Sequence, residues 1–243
     1  MIEIHSLAKV YGEVLAVESL SFTVQPGEVL GLVGPNGAGK TSTLRCLCGI
    51  IPPTRGAVRL GGHDLATDPV AAKRLLAWFP DEPRLFDHLT AREHLAFVGR
   101  IYGVPDFAAR GRALLEEFNL VDKQDALPSE LSRGMNQKLA IACGFLHDPR
   151  VIILDEPLTG LDPFAIRQMK DAIRRRAGDG AAVILSSHLL HLVEEISTHV
   201  LILHRGRTVL HGTMEQARNH LAAEGVTTLE EVFMRVAGEG MDR

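Results

Sequence analysis

Residues 34–41, GPNGAGKT, fit the phosphate-binding pattern GxxxxGK[ST] at every fixed position, and an apolar, strand-like run at 29–33 leads into them. Gly34, Gly37 and Gly39 lack a Cβ, so successive backbone N–H groups can turn toward an anion without steric cost. Lys40 stands where it would reach the β- and γ-phosphates of a nucleotide, and Thr41 where its hydroxyl would meet Mg²⁺. The helix opening there would aim its positive end at the same anion. A glycine-rich turn that binds nothing would carry the same glycines, but the strand before and the helix after them are what this motif requires.

Three other groups have residue types suited to the same chemistry. The run 151–154 delivers Asp155 and Glu156 at the carboxyl end of a buried strand, where open α/β sheets place their ligand sites. Asp155 is the natural holder of Mg²⁺. Glu156 could accept a hydrogen bond from a water lined up against a γ-phosphate. An acidic turn ahead of Pro157 is the plainer alternative, and the phosphate loop elsewhere in the chain argues against it. After the run 182–185 come Ser186, Ser187 and His188, again at a strand end, so His188 could sense the γ-phosphate. Taken alone, a single histidine there is more often a helix-cap neighbour or surface residue, and the chain has 11 of them. Within LSRGMNQKLAIA, Ser132 and Gly134 sit where a loop becomes a helix, presenting a hydroxyl and free N–H groups to an anion. Ser132 as a plain helix N-cap explains that segment equally well.

The elements that must position these residues follow from periodicity. Short β-branched runs at 2–4, 14–17 and 20–24, with Pro26-Gly27 before 29–33, predict a mainly antiparallel β-subdomain feeding a central sheet. A helical pattern over 40–48 stops at Gly49 and Pro52-Pro53, and 57–60 with Gly61-Gly62 returns to a strand and turn. Between 81 and 148 apolar residues recur at helical spacing with no convincing strand, which predicts a helical insertion. Strand and helix then alternate: strands at 151–154, 182–185 and 200–203, helices at 163–177 and 189–196. Such short, unalternating strands suit a parallel sheet covered on both faces.

Composition agrees. Of 243 residues, 46% are hydrophobic and 23% charged, enough for a substantial core and against disorder. A net charge of −4 gives no nucleic-acid footprint, and Arg174–Arg176 reads as the solvated face of a helix. Cys46, Cys48 and Cys143 are too scattered for a disulfide framework or a zinc site and read as small buried apolar residues. The N-terminus lacks a secretion signal, and no stretch approaches 18 continuous apolar residues.

Taken in order, these motifs make the chain resemble the nucleotide-binding subunit of an ATP-binding cassette (ABC) transporter over nearly its whole length. The resemblance implies an α/β P-loop NTPase fold with a mostly parallel central sheet, an N-terminal antiparallel β-subdomain and a helical insertion. The catalytic core would occupy 1–80 and 149–220, the helical subdomain 81–148 and a helical tail 221–243. It implies ATP and Mg²⁺ as ligand and cofactor. The Walker A loop would comprise Gly34, Pro35, Asn36, Gly37, Ala38, Gly39, Lys40, Thr41 and Ser42, and Tyr11 would stack on adenine. Thr41 and Asp155 would hold the metal, with Glu156, His188 and Lys40 catalytic. Leu161 and Asp162 resemble the D-loop. Ser132 and Gly134 resemble the signature motif, which in the family binds the γ-phosphate held by the opposite subunit, so that two ATP molecules are sandwiched in a head-to-tail dimer.

Two departures stand out. Where the family often has a Gln after the Pro that ends its first subdomain, this chain reads WFPDEP, which puts Asp81 or Glu82 there; a carboxylate could bind Mg²⁺ directly or face solvent. The signature reads LSRGM, with Arg133 and Met135 in place of the more usual residues. The tail TLEEVFMRVAG, with Leu229, Val232, Phe233 and Val236, resembles that of cassette ATPases serving exporters with separate short permeases, which favours export over import. The implied partners are a polytopic membrane permease, docked beside Trp78, Phe79, Leu85 and Phe86, and a second cassette subunit, for which a homodimer suffices. The protein is then expected on the cytoplasmic face of the cell membrane. The rival reading, a cassette ATPase acting on ribosomes or DNA, usually comes with two cassettes in one chain or a long coiled-coil insertion, and neither occurs here.

Overall fold

The computed structural model describes residues 1–159, 161–223 and 231. In chain order they form β1 (Ile2–Tyr11), β2 (Val14–Val24), β3 (Val29–Val33), α1 (Lys40–Leu47), β4 (Arg55–Leu60), β5 (His63–Asp64), α2 (Pro69–Arg74) and β6 (Leu76–Phe79). Then come α3 (Ala91–Tyr102), α4 (Phe107–Glu117), α5 (Arg133–Phe145), β7 (Val151–Asp155), α6 (Pro163–Gly178), β8 (Ala182–Ser186), α7 (Leu190–Ile196), β9 (His199–His204), β10 (Arg207–Thr213) and α8 (Met214–Ala223). The expected tail residues Leu229, Val232, Phe233 and Val236 lie outside the described residues.

Two sheets organise the chain. An antiparallel sheet runs β2-β1-β4-β5, and a six-stranded sheet runs β10-β9-β3-β8-β7-β6, in which only β10 is antiparallel to its neighbour. Every residue of β3, β7 and β8 is buried, because alternate side chains feed two separate cores. Ile152, Leu154, Val183 and Leu185 join the core under α5 and α6; Val151, Ile153, Ala182 and Ile184 join the one under α1 and the antiparallel sheet. Each fully buried Val, Leu or Ile contributes about 1.5–3 kcal/mol, so a strand apolar on both faces is fixed at the centre.

The N-terminal strands are longer than the sequence runs suggest. β1 continues through Tyr11, and β2 joins 14–17 to 20–24 without a break. The pairing slips between Ile4 and Leu7 and again before Val10, and Ser6 adopts a positive φ of 47°. Such bulges insert residues that break period-two alternation, so the sequence reads as fragments where the backbone is continuous. β6, α2 and β10 have no distinct periodic signal in the sequence. The run Leu76–Phe79 is too short for periodicity to separate strand from helix; pairing with β7 decides it.

Helices α3, α4 and α5 fall between residues 91 and 145. Thr90 and Glu93 form a reciprocal capping box at the start of α3, and Ser132 caps α5 by accepting the Met135 N–H at 3.3 Å. Gly144 lets α5 lie on β6, since a Cβ there would sit 2.3 Å from the Phe79 ring. The Arg174–Arg176 run is more than a solvated face: Arg174 pairs with Glu195, Arg175 and Arg176 both pair with Glu117, and the Arg176 guanidinium lies 4.5 Å from the Phe145 ring centroid. All three cysteines are free and buried. Burial pushes the Cys143 thiol up to about 12, which makes it inert.

Candidate nucleotide site

Four neighbouring parallel strands, β3, β8, β7 and β6, end at the same edge of the large sheet. β3 runs into the phosphate loop, β8 into Ser187 and His188, β7 into Glu156, and β6 into Pro80 and Asp81. Adjacent strands lie about 4.8 Å apart, so segments far apart in sequence converge within one ligand's breadth. Asn36, Lys40, Thr41, Arg45, Trp78, Asp81, Glu82, Arg84, Asp155 and Glu156 line a cavity of about 690 Å³ there.

The phosphate loop is tied down on both sides. Gly39 is the residue before α1, with φ of 101°, and a Cβ on it would meet the Ala16 carbonyl at 2.4 Å. That conformation and that approach admit only glycine. The Gly206 N–H donates to the Ala38 carbonyl at 3.0 Å, and the Glu18 N–H to the Gly206 carbonyl at 2.9 Å, which lashes the loop to β2. Lys40 donates to the Gly34 carbonyl at 2.5 Å. Burial lowers its pKa from the ordinary value, while the carboxylates of Glu156 and Asp155 raise it. This ammonium is therefore partly desolvated and faces two acids, the setting in which a charge interacts strongly.

Asp155 is buried, and its Oδ1 accepts the Ser186 hydroxyl at 2.5 Å. Ser186 also receives the Glu156 N–H, on its carbonyl and its Oγ, both at 3.2 Å. Glu156 has φ of 50°, a left-handed conformation costing a non-glycine residue about 1–2 kcal/mol. The turn swings its side chain toward His188: Oε2 accepts the His188 N–H at 3.2 Å and lies 2.8 Å from Nδ1. The pair links residues 32 apart in sequence. Ser186 enters the site only because β8 lies beside β7 and pairs it with Asp155, a relation that carries no local signal in the sequence.

Not every expected residue meets in one chain. Neither Tyr11 nor Ser132 nor Gly134 lines the cavity, and His188 borders it only through its contact with Glu156, which does. Tyr11 is half-exposed at the end of β1, with Lys9 Nζ 5.0 Å from its ring centroid. It belongs to the hairpin whose Ala16 and Val17 press on Gly39. Ser132 and Gly134 begin α5, and Leu161 Cδ2 lies 3.6 Å from where a Gly134 Cβ would be, so the signature and D-loop segments are neighbours. Asp162 caps α6 by accepting the Ala165 N–H at 2.8 Å.

Comparison with known proteins agrees with this geometry. A family profile described as ABC transporter matches residues 17–159. The chain is 33% identical over 225 residues to the ABC-type transporter ATP-binding protein EcsA of Bacillus subtilis, covering 92% of this chain and 91% of that one. It is 40% identical over 215 residues to the Nod factor export ATP-binding protein I of Paraburkholderia xenovorans, covering 87% and 70%. A solved structure of the ATP-binding subunit of an ABC transporter superposes with a TM-score of 0.92 at 34% identity, covering 98% of this chain and 99% of that one. With the phosphate loop, the paired acids and the strand-end histidine at one sheet edge, the chain belongs to the ABC transporter family, as an ATP-binding and ATP-hydrolysing subunit.

Proposed function

We propose that this chain powers an exporter by binding and hydrolysing ATP between two copies of itself, with a separate membrane permease docked on its helical region. The observation that supports the dimer is the division of the site: Asn36, Lys40 and Thr41 of the phosphate loop line one cavity with Asp155 and Glu156, while Ser132 and Gly134 begin α5, beside Leu161 and outside it. A second copy in head-to-tail orientation would supply those groups, and the free N–H groups of the thirteen-residue α5 would meet the γ-phosphate. Export is favoured by the likeness to the Nod factor export protein.

In this reading the Lys40 ammonium and the loop N–H groups hold the ATP phosphates. Glu156 accepts the proton of the attacking water, and His188 is oriented by its contact with Glu156. Thr41 and Asp155 fit Mg²⁺, being hard oxygen donors, with Ser186 orienting the carboxylate. Mg²⁺ takes only one or two carboxylates and completes its shell with phosphate and water. Mg²⁺ there would offset charge on the phosphate oxygens. Asp81 lines the same cavity and is a further candidate ligand. Asp81→Ala is expected to weaken apparent Mg²⁺ affinity in the ATPase assay about tenfold; unchanged Mg²⁺ dependence would remove Asp81 from the metal site.

A groove of about 440 Å³ beside the nucleotide cavity, between β6 and the helices, is the candidate docking surface. Trp78, Phe79, Leu85 and Phe86 all line it, although Phe79 is buried and packs edge-on against Phe145, so it serves as floor. Phe86 and Phe97 are 53% and 40% exposed, a surplus of apolar surface that suits a partner. No helix among the described residues is long and apolar enough to cross a membrane, so attachment to the cytoplasmic face would come from this docking. Affinity purification of the tagged chain from detergent-solubilised membranes of its host is expected to recover a polytopic permease. Recovery of ribosomal proteins or DNA without a membrane protein would overturn the transport reading and leave the ATP site intact.

A further inference from the structure

The segment from Pro80 to Leu89 borders two cavities at once. Pro80 and Arg84, with Trp78 of β6, line both the nucleotide cavity and the apolar groove, while Asp81 and Glu82 face only the first and Leu85 and Phe86 only the second. What pins this segment to the helical region is His94, on the first turn of α3 and 3% exposed. The Phe86 N–H donates to His94 Nε2 at 2.9 Å, and His94 Nδ1 lies 2.9 Å from the Thr90 carbonyl. The His94 ring stacks on Phe86 with centroids 5.9 Å apart, and Phe86 meets Phe97 edge-on at 5.1 Å. A further hydrogen bond of the segment, Leu89 N–H to the Phe86 carbonyl, is internal to it.

We infer that His94 is a positioning residue, held as the neutral Nδ1–H tautomer, that latches the segment between the two cavities and releases it on protonation. The chemistry of the two partners fixes the tautomer. A backbone N–H can only donate, so Nε2 must keep its lone pair for Phe86. A carbonyl can only accept, so Nδ1 must carry the proton toward Thr90. A second proton would place an N–H against the Phe86 N–H, destroying the bond and leaving a buried donor facing another.

The surroundings set the direction of the pH response. Burial lowers the His94 pKa, and this outweighs the Thr90 carbonyl and the Glu93 carboxylate, which raise it. Glu93, on its own helix, is the charged group that acts on His94, and the other charged or titratable groups lining the groove with it are Arg84 on the segment, Tyr102 at the end of α3, and Cys143 and His147 on the α5 side. The latched form binds fewer protons than a histidine exposed to water. Its stabilisation is therefore complete above a pH of about 6.5, the ordinary histidine value, and is lost as the pH falls below it. The latch rests on the two hydrogen bonds of His94 and not on the docking of a permease.

Trp78 is the only tryptophan in the chain and sits in the wall shared by both cavities, so its emission reports on the segment without any permease. Titrating the purified full chain from pH 8 to pH 5 is expected to shift that emission below pH 6.5, with far-UV ellipticity unchanged. In His94→Gln an amide oxygen can still accept the Phe86 N–H but does not titrate, so the shift should vanish, whereas His147→Gln should retain it. A shift that persists in His94→Gln, or a wild-type chain with none, would overturn the latch. Should the His94 variant not fold, ¹⁵N chemical shifts of the wild-type His94 ring at pH 8 decide the matter: the Nδ1–H tautomer supports the inference and Nε2–H refutes it.

Discussion

Glu156→Gln is expected to lower the ATPase kcat by roughly 10²- to 10⁴-fold, the range a positioned general base contributes, while ATP binding persists. The substitution is nearly isosteric, so the left-handed backbone at position 156 and its N–H bonds to Ser186 have no reason to change. What disappears is the negative charge and the capacity to take a proton. An amide oxygen can still accept the His188 N–H, which Glu156 now receives at 3.2 Å, so the strand-end geometry is retained. With hydrolysis blocked, the γ-phosphate that would join the two copies stays in place, and size-exclusion chromatography with MgATP should show a stable dimer where the wild-type chain is monomeric or transient. A variant that binds ATP but elutes as a monomer would count against the shared-site reading, and full turnover would remove Glu156 as the base.

Lys40→Ala should act one step earlier, on binding. The Lys40 ammonium is half-buried, and desolvation lowers its pKa against the smaller, opposing pull of Glu156 and Asp155. Its hydrogen bond to Gly34 O, at 2.5 Å, holds the side chain folded back along the loop, beside the N–H groups that would receive phosphate. A hydrogen bond to a charged group contributes about 1.5–3 kcal/mol, so truncation should weaken ATP binding roughly ten- to hundredfold. It also leaves two acids facing the phosphates with less opposing charge. Equilibrium binding of a fluorescent ATP analogue reads this directly. Lys40→Arg is not expected to rescue, because a planar fork cannot replace a point charge on a flexible stem. Wild-type affinity in Lys40→Ala would mean that the nucleotide is held elsewhere.

The two variants separate because their residues belong to different strands of one edge. Lys40 follows β3 and Glu156 follows β7, with β8 between them. Their chemistry was readable along the chain: glycine spacing, a lysine and hydroxyl at the helix start, and paired acids after an apolar run are local patterns. So was the helical insertion, since amphipathic spacing survives whatever the helices pack against. Even Ser132 was legible as a capping residue, and it does cap α5.

Other features have no local signature. Residues 76–79 read equally as helix or strand until β7 pairs with them, because four apolar residues are shorter than one period of evidence. The fragments 14–17 and 20–24 form one strand because β2 absorbs an extra residue between them, where the pairing passes from Leu7↔Leu20 to Lys9↔Val17. Arg176, which belongs to a run of positive charge in sequence, is held by Glu117 and the Phe145 ring. His94 gave no signal at all, since its role depends on which backbone groups a distant loop turns toward it.

By itself, then, the sequence determined the kind of chemistry and the kind of scaffold: backbone freedom at Gly39, the charge of Lys40, the acids at 155 and 156, and strands apolar on both faces are properties of residue type and near-neighbour spacing. Only the tertiary structure decided which of these meet. Strand order set Glu156 against His188 and Ser186 against Asp155, because pairing partners are chosen by burial of whole faces and not by local pattern. The same packing kept Ser132 and Gly134 out of the cavity of their own chain, and set one short segment, latched by His94, between the nucleotide site and the apolar groove.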